Sequence, residues 1–337
     1  MLEKPSVHDE QIAACLQAEF GLAVDELAFL PLGADMNTAV YRAVTGEGRP
    51  YFLKLRSGVF EEMAVRLPIY LSEQGMRQII APLRAKSGRP WADMGDFKAI
   101  VYPFVEGRDG YETVLSREQW VELGRALRWL HTLVLPRELR ECIPQERFSA
   151  QWRDSVRKQV DDIQRRSFAD PARVEPAGFV QARQEQILGL VERAERLGRG
   201  LQAQPRENVL CHSDLHAGNV LIEGGGALYL VDWDNPIYAP KERDLMFIGG
   251  AQGFAGRSPQ EEEALFYQGY GETQVETKAL AYYRCERIVE DLAIFCEQIF
   301  STDEGGEDRQ QALRYFKSNF APGGTIEIAY RSVERAG

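Results

Sequence analysis

Residues 208–236 read Asn208-VLCHSDLHAGNVLIEGGGALYLVDWDN-Pro236, and their polar side chains are of the types that phosphoryl transfer requires. His212, Asp214 and Asn219 stand in the spacing H-x-D-x-x-x-x-N, and Asp232 closes the apolar run that follows. Moving a phosphoryl group from a nucleotide to an alcohol needs a carboxylate to orient the hydroxyl and accept its proton. It also needs an Asn and a second Asp to hold metal ions against the phosphates. Asp214, Asn219 and Asp232 fit those three roles in order, with Mg²⁺ as the ion that such oxygen donors suit. His212 is read as a structural residue that packs beneath the loop and bonds its backbone.

The apolar runs at about 219–223 and 227–233 flank a glycine cluster and form a hairpin. A two-residue turn at Gly225-Gly226 sets Glu223 opposite Leu228 and Asn219 opposite Asp232. Directly opposed side chains lie about 4.5–5.5 Å apart at Cβ, so the two metal ligands converge at the open end of the hairpin. The segment Ser213-Asp214-Leu215-His216 also suggests a dinuclear metallophosphoesterase. That chemistry needs further His ligands downstream, and none of the four histidines (His8, His131, His212, His216) follows His216.

A nucleotide also needs a cation at its phosphates. Lys54, in the strand pattern Tyr51-Phe52-Leu53-Lys54-Leu55, supplies one, and Glu61 or Glu62 at the start of the next helical segment is its expected partner, with Glu62 preferred. The turn from Leu32 to Thr38, with Gly33 and Asn37, can lie over phosphates through backbone N–H groups, although it lacks G-x-G-x-x-G. Pro103, Phe104 and Val105 end an apolar strand and can offer main-chain groups to an adenine ring.

These residues require elements to hold them. Strands at 38–44 and 50–55 surround the turn Thr45–Gly48, and a helical stretch follows at about 60–74, where Pro68 is expected to bend or break it. Residues 11–20 form a short amphipathic helix, and Ala99–Val105 form a buried strand ending at Pro103. Residues 116–135 and 149–200 are mainly helical. On a last helix at about 280–300, Cys285, Ile288, Val289, Leu292, Phe295, Cys296 and Ile299 share one face. The pattern is α+β and bilobal: a small β-rich N-terminal lobe (1–102), a hinge near 102–107, and a larger helical C-terminal lobe (103–337).

Composition narrows the partners. With 40 Lys+Arg against 51 Asp+Glu the formal charge is −11, which argues against nucleic acid or an anionic membrane and suits a cationic small molecule. No run of 18 apolar residues predicts a membrane span. The N-terminus carries no secretory pattern, and five scattered cysteines predict reduced core residues of a cytoplasmic protein.

The segments HSDLHAGN, YLVDWD and YFLKL, together with a helical C-terminal lobe, resemble the aminoglycoside phosphotransferase family, a branch of the protein-kinase-like fold. Further blocks (VDWDNPIYAPKERDLMFIGG, FYQGYGE, YYRCERIVEDLA) extend the resemblance over nearly the whole chain. It implies ATP-dependent, Mg²⁺-assisted phosphorylation of a hydroxyl on a spectinomycin-like aminocyclitol, by a monomer or weak homodimer. By the same pattern Asp214 is the base, Asn219 and Asp232 bind metal, Lys54 anchors phosphate, and Asp244 braces the catalytic loop. The protonated amines of such a substrate call for carboxylates and aromatic faces. Asp234 is one candidate. Glu290 and Asp291 are others, or else part of a solvated helix face. Trp233 and Tyr238 either join them or pack in the core. The rival readings are a kinase of the same fold acting on choline, homoserine or a methylthio sugar, and a catalytically silent nucleotide-binding protein.

Overall fold

Strict alternation along Pro50–Ser57 buries Tyr51, Leu53 and Leu55 and turns Phe52, Lys54 and Arg56 to the opposite face. In the computed structural model, which describes residues 2–33, 35–249, 254–300 and 306–336, this strand is the middle of a five-stranded antiparallel sheet. Its neighbours are Thr38–Thr45 and Phe97–Pro103, with Val24–Leu30 and Ala92–Met94 at the edges. Lys54 sits opposite Val40 on one side and Ile100 on the other. One sheet face packs Tyr41, Leu53, Leu55 and Val101 against Ile12 and Leu16 of the N-terminal helical segment. On the other face the helix Met63–Glu73 sets Val65 against Trp91 and Ile100.

Pro68 does not break that helix. A proline at its sixth position removes one hydrogen bond, while Val65, Leu67, Ile69 and Leu71 are all buried and hold the segment by packing.

The sheet belongs to a compact unit made of residues up to Leu115, Leu135–Ile143 and Ala217–Pro236. The last segment is the hairpin Val220–Glu223/Leu228–Leu230, joined on its outer side by Gly107–Asp109. Its register differs from the expected one by a residue: Ile222 faces Leu228 and Val220 faces Leu230. The loop has three glycines rather than two. Gly226 closes a turn onto the Glu223 carbonyl (2.8 Å), and the Glu223 amide then donates to the Ala227 carbonyl (2.9 Å). Gly226 has φ +93°, the left-handed conformation that a three-residue hairpin loop needs. Asn219 therefore aligns with Val231, whose amide donates to its carbonyl (3.0 Å), and Asp232 lies one residue further on.

The other unit comprises Ser116–Val134, Pro144–His216 and the chain from Ile237 onward. Its long helix, Thr277–Phe300, buries Cys285, Ile288, Val289, Leu292, Cys296 and Ile299 against the helices Gln151–Arg165, Gln184–Gln202, Gly306–Ser318 and Thr325–Arg335. A second packing pair is Arg117–Thr132 on Pro259–Tyr270. Backbone meets backbone there, since a Cβ on Gly124 would lie 2.1 Å from the Phe266 carbonyl oxygen and one on Gly269 1.8 Å from that of Val121. Val209–Cys211 pairs with Ile237–Ala239 in a short antiparallel ribbon, and the segment from His212 to Asn219 starts directly after its first strand. Cys211, Cys285 and Cys296 are buried as expected, but Cys142 is exposed and is no core residue.

Candidate active site

In the first unit the cations of one strand meet the carboxylates that follow the hairpin. Lys54 Nζ lies 2.8 Å from Asp232 Oδ1 and 2.7 Å from Asp234 Oδ2. Two residues along the same face, Arg56 Nη1 donates to Asp234 Oδ2 (2.8 Å) and to Asp35 Oδ2 (3.0 Å). Asp35 in turn accepts from the Asn37 amide (2.8 Å) and the Thr38 hydroxyl (2.8 Å), which fixes the turn before the second strand. Gly33, at φ +83°, and Asn37 are exposed on this turn, while Ala34 lies outside the described residues.

Burial alone would drive the Lys54 ammonium down, but Asp232 and Asp234 more than offset it and raise its pKa above the ordinary value. Lys54 is thus a permanent cation. Burial and the charge of Asp232 push the Asp234 carboxyl up against the pull of Lys54 and Arg56. Asp232 has φ +63°, a sparsely populated region for a non-glycine residue. It keeps 45% of its side chain exposed, so the carboxylate is accessible as an oxygen donor.

In the second unit Asp214 follows Ser213, which has φ +71°. Both oxygens of the fully buried Asp244 hold this loop: Oδ2 accepts from the His212 amide (3.0 Å) and Oδ1 from the Ser213 amide (2.7 Å). Asp244 Oδ2 also contacts His131 Nε2 (3.0 Å), whose Nδ1 meets the Tyr270 hydroxyl (2.7 Å). Burial raises the Asp244 carboxyl, but His131, His212 and the Ser213 amide outweigh it and hold it below the usual range. Cys211 lies close enough to His131 and Asp244 to suggest a metal cluster. Asp244 is spent on the two amides and His131, however, so this is a brace for the loop. His212, fully buried, accepts from the Asp214 amide through Nδ1 (3.3 Å).

The Asp214 carboxylate meets Arg287 of the long helix, with Nη1 2.6 Å from Oδ1, while Oδ2 lies 3.9 Å from His216 Nε2. Burial would raise its pKa, yet Arg287 and the nearby His216, His212 and Arg243 lower it to about 2. Arg287 Nε also lies 3.1 Å from Asp291, and Arg243 lies 3.6 Å from Glu290. Burial pushes Asp291 up to about 6 despite Arg287.

Residues 28–284 match the phosphotransferase enzyme family. The chain belongs to this family. Protein StrN of Streptomyces griseus is 28% identical over 244 residues, which cover 70% of the phosphotransferase and 73% of StrN. A crystal structure of spectinomycin phosphotransferase APH(9)-Ia in complex with ADP and spectinomycin superposes with a TM-score of 0.89 at 34% identity, covering 97% of this chain and 99% of that one. The AMP-bound form of that enzyme gives 0.84 at 33% identity, covering 96% and 98%. An amicoumacin kinase, at 16% identity and TM-score 0.60 over 94% and 95% of the two chains, shares the fold. The bilobal protein-kinase-like fold and the hydroxyl-acceptor phosphotransferase class are therefore established for this protein.

Several expectations are relocated by the structure. The Lys54–Glu62 pair is not made: Lys54 takes Asp232 and Asp234, and Glu62 lies 3.6 Å from Arg66 one turn along its own helix. Asp234 serves as counter-ion to Lys54 and Arg56. Glu290 and Asp291 are on no plain solvated face, since each is matched to an arginine. Trp233 and Tyr238 are buried, and the Trp233 indole donates to the Leu230 carbonyl (2.9 Å). Phe104 packs under the Arg42 guanidinium at 5.4 Å, and the strand ends at Pro103 as expected. Sequence reading missed Arg56 and Arg287. The period-two placement of Arg56 beside Lys54 was a usable signal for the first. Among the described residues no helix is long and apolar enough to cross a membrane.

Proposed function

We propose that this phosphotransferase moves the γ-phosphoryl group of ATP to a hydroxyl of spectinomycin or a close aminocyclitol. The observation that carries the reading is the 34% identity over almost the full length of an enzyme crystallised with ADP and spectinomycin. It is joined by the presence in this chain of Lys54, Asp214, Asn219 and Asp232. In this reading Lys54 binds the nucleotide phosphates, the Gly33–Asn37 turn lies over them, and the segment Pro103-Phe104-Val105 meets the adenine. Asp214 orients the acceptor hydroxyl and takes up its proton, on a loop held by Asp244 and His212. Asn219 and Asp232 offer an amide and a carboxylate oxygen, a hard donor set that fits Mg²⁺. Bound there, Mg²⁺ would neutralise phosphate charge.

Asp214, Glu290 and Asp291 place three carboxylates against the guanidinium groups of Arg243 and Arg287, an excess of one negative charge when all are ionised. That excess supports recognition of a substrate ammonium by Glu290 and Asp291, with Asp234 kept for the phosphate-side cations. The division into a nucleotide lobe and an acceptor lobe at a hinge near 102–107, a cytoplasmic location where ATP is supplied, and a monomeric or weakly dimeric state belong to the same proposal.

The test is competitive. Purified protein with limiting Mg-ATP receives spectinomycin, kanamycin, homoserine and choline together, and phosphorylated products are counted by mass. Phospho-spectinomycin in large excess is expected. A dominant kanamycin, homoserine or choline product would reject the acceptor assignment and leave the phosphate chemistry.

A further inference from the structure

The mechanism leaves unused a cation that is nearly buried and touches the base. Arg287 has 18% of its side chain exposed and contacts two carboxylates through different nitrogens: Nη1 to Asp214 Oδ1 at 2.6 Å and Nε to Asp291 Oδ1 at 3.1 Å. Asp291 is one helical turn further along Thr277–Phe300, and the Phe247 ring lies 6.0 Å from the guanidinium carbon. The ion pair to Asp291 thus ties the guanidinium to its own helix before it reaches the loop. Asp214 follows a residue at φ +71° on an irregular segment, and its carboxylate turns about two side-chain bonds. A short charge-assisted bond to one oxygen removes that freedom.

We infer that Arg287 is the positioning residue of the catalytic base: it fixes Oδ1 of Asp214 so that Oδ2 is the oxygen turned to the acceptor hydroxyl. The inference rests on the reading of Asp214 as that base, and it adds the element that orients it. The cation also weakens the base, because a carboxylate held on a guanidinium is a poor proton acceptor in the ground state. That suits phosphoryl transfer, where the hydroxyl needs alignment first and gives up its proton as the new P–O bond forms. Arg243 is a second guanidinium in the same region; it lies 3.6 Å from Glu290 and acts on Asp214 through its charge. The positioning role is assigned to Arg287, whose Nη1 makes the 2.6 Å contact to Oδ1.

The test compares Arg287→Ala, Arg287→Lys and Asp291→Asn with the unaltered full-length enzyme. Spectinomycin turnover by the unaltered enzyme is read first. No product there would defeat the acceptor assignment, and the comparison would then be made on the rate of Mg-ATP hydrolysis, with water as the acceptor. Misplacing a reacting group by 1 Å costs on the order of 10²-fold. Arg287→Ala should therefore lose about that factor in kcat while KM for Mg-ATP stays within a few-fold. Millimolar guanidinium should restore part of that kcat, and none in Asp214→Asn. Arg287→Lys should recover less than full activity, since one ammonium cannot reproduce both contacts. Asp291→Asn, which keeps the helix and weakens the Nε ion pair, gives a smaller kcat loss when read on Mg-ATP hydrolysis, where the proposed part of Asp291 in acceptor recognition does not enter, and reads the same role should Arg287→Ala fail to fold. The inference is overturned if Arg287→Ala turns over within a few-fold of the unaltered enzyme. It is equally overturned if the loss falls on KM for Mg-ATP, or if guanidinium rescues nothing in a folded variant.

Discussion

At the scale of single residues, Asp214 and Asp232 are each paired with a cation but differ in exposure, at 20% and 45% of the side chain. Asp214 is held at about 2 by arginine and histidine against its burial, so it is ionised at neutral pH. Asp214→Asn keeps the size and removes the proton acceptor, and kcat should fall by ~10²–10⁴-fold with nucleotide affinity retained. Steady-state kinetics with ATP binding measured separately decide it; an Asn variant within a few-fold of the parent would reduce Asp214 to a loop-shaping residue. Asp232 combines a left-handed backbone, an exposed carboxylate and an ion pair to Lys54. Asp232→Ala should abolish Mg-ATP turnover with unchanged circular dichroism, because its side chain is half exposed, and Asn219→Ala should weaken turnover, its melting temperature being read alongside because Asn219 is buried. Retained turnover by Asp232→Ala at limiting Mg²⁺ would remove the metal assignment.

At the scale of elements, the sequence made the strands and helices around the site readable where period and burial agree, as in Pro50–Ser57 and the long helix from Thr277. It misled where a residue type tolerates several geometries. Three consecutive glycines accept either a two- or a three-residue loop, since each can take positive φ, and the hairpin register slipped by one for that reason. Pro68 forbids one hydrogen bond, but the packing around it was not visible from local rules. Arg287 and Asp214, 73 positions apart, meet only through tertiary structure.

Packing also makes two elements testable. Gly124→Ala would drive a methyl into the Phe266 backbone carbonyl, which no rotamer change relieves. It should destabilise by about 1–3 kcal/mol or more, read as a lower melting temperature. On the long helix, burial raises Glu286 to about 7 from 4.5, outweighing the pull of Arg153. The native carboxyl then binds its proton more tightly than the unfolded one. Its contribution to stability is therefore greatest below pH 4.5 and declines by about 3 kcal/mol as pH rises through 7. Glu286→Gln should flatten that decline and melt higher than the parent at pH 8; an unchanged pH profile would contradict the assignment.

Across the whole molecule, the charge of −11 bears on encounter with substrate. A cationic acceptor is drawn to an acidic protein and Mg-ATP is not, so added salt should raise KM for spectinomycin more than KM for Mg-ATP. Initial rates at 50 and 300 mM KCl test this, and parallel changes in the two constants would show that the net charge plays no part. The bilobal plan was legible because apolar alternation gives way to long helical periods after Pro103. The grouping of Ala217–Pro236 with the N-terminal sheet was not, because contacts over more than a hundred residues leave no trace in local pattern.

That grouping has a temporal consequence. On the ribosome, Lys54 and its sheet emerge long before Asp232 and Asp234, the carboxylates that balance it. The stretch from Leu115 to Pro236 that completes the unit takes roughly 6–24 s to make at about 5–20 residues per second. Through that interval the nascent sheet carries an ammonium without its counter-charges, on a face it would otherwise bury. The N-terminal half is thus obliged to wait, and a chain arrested before Asp232 should remain open to protease at the Lys54 strand, whereas one released after Pro236 should resist.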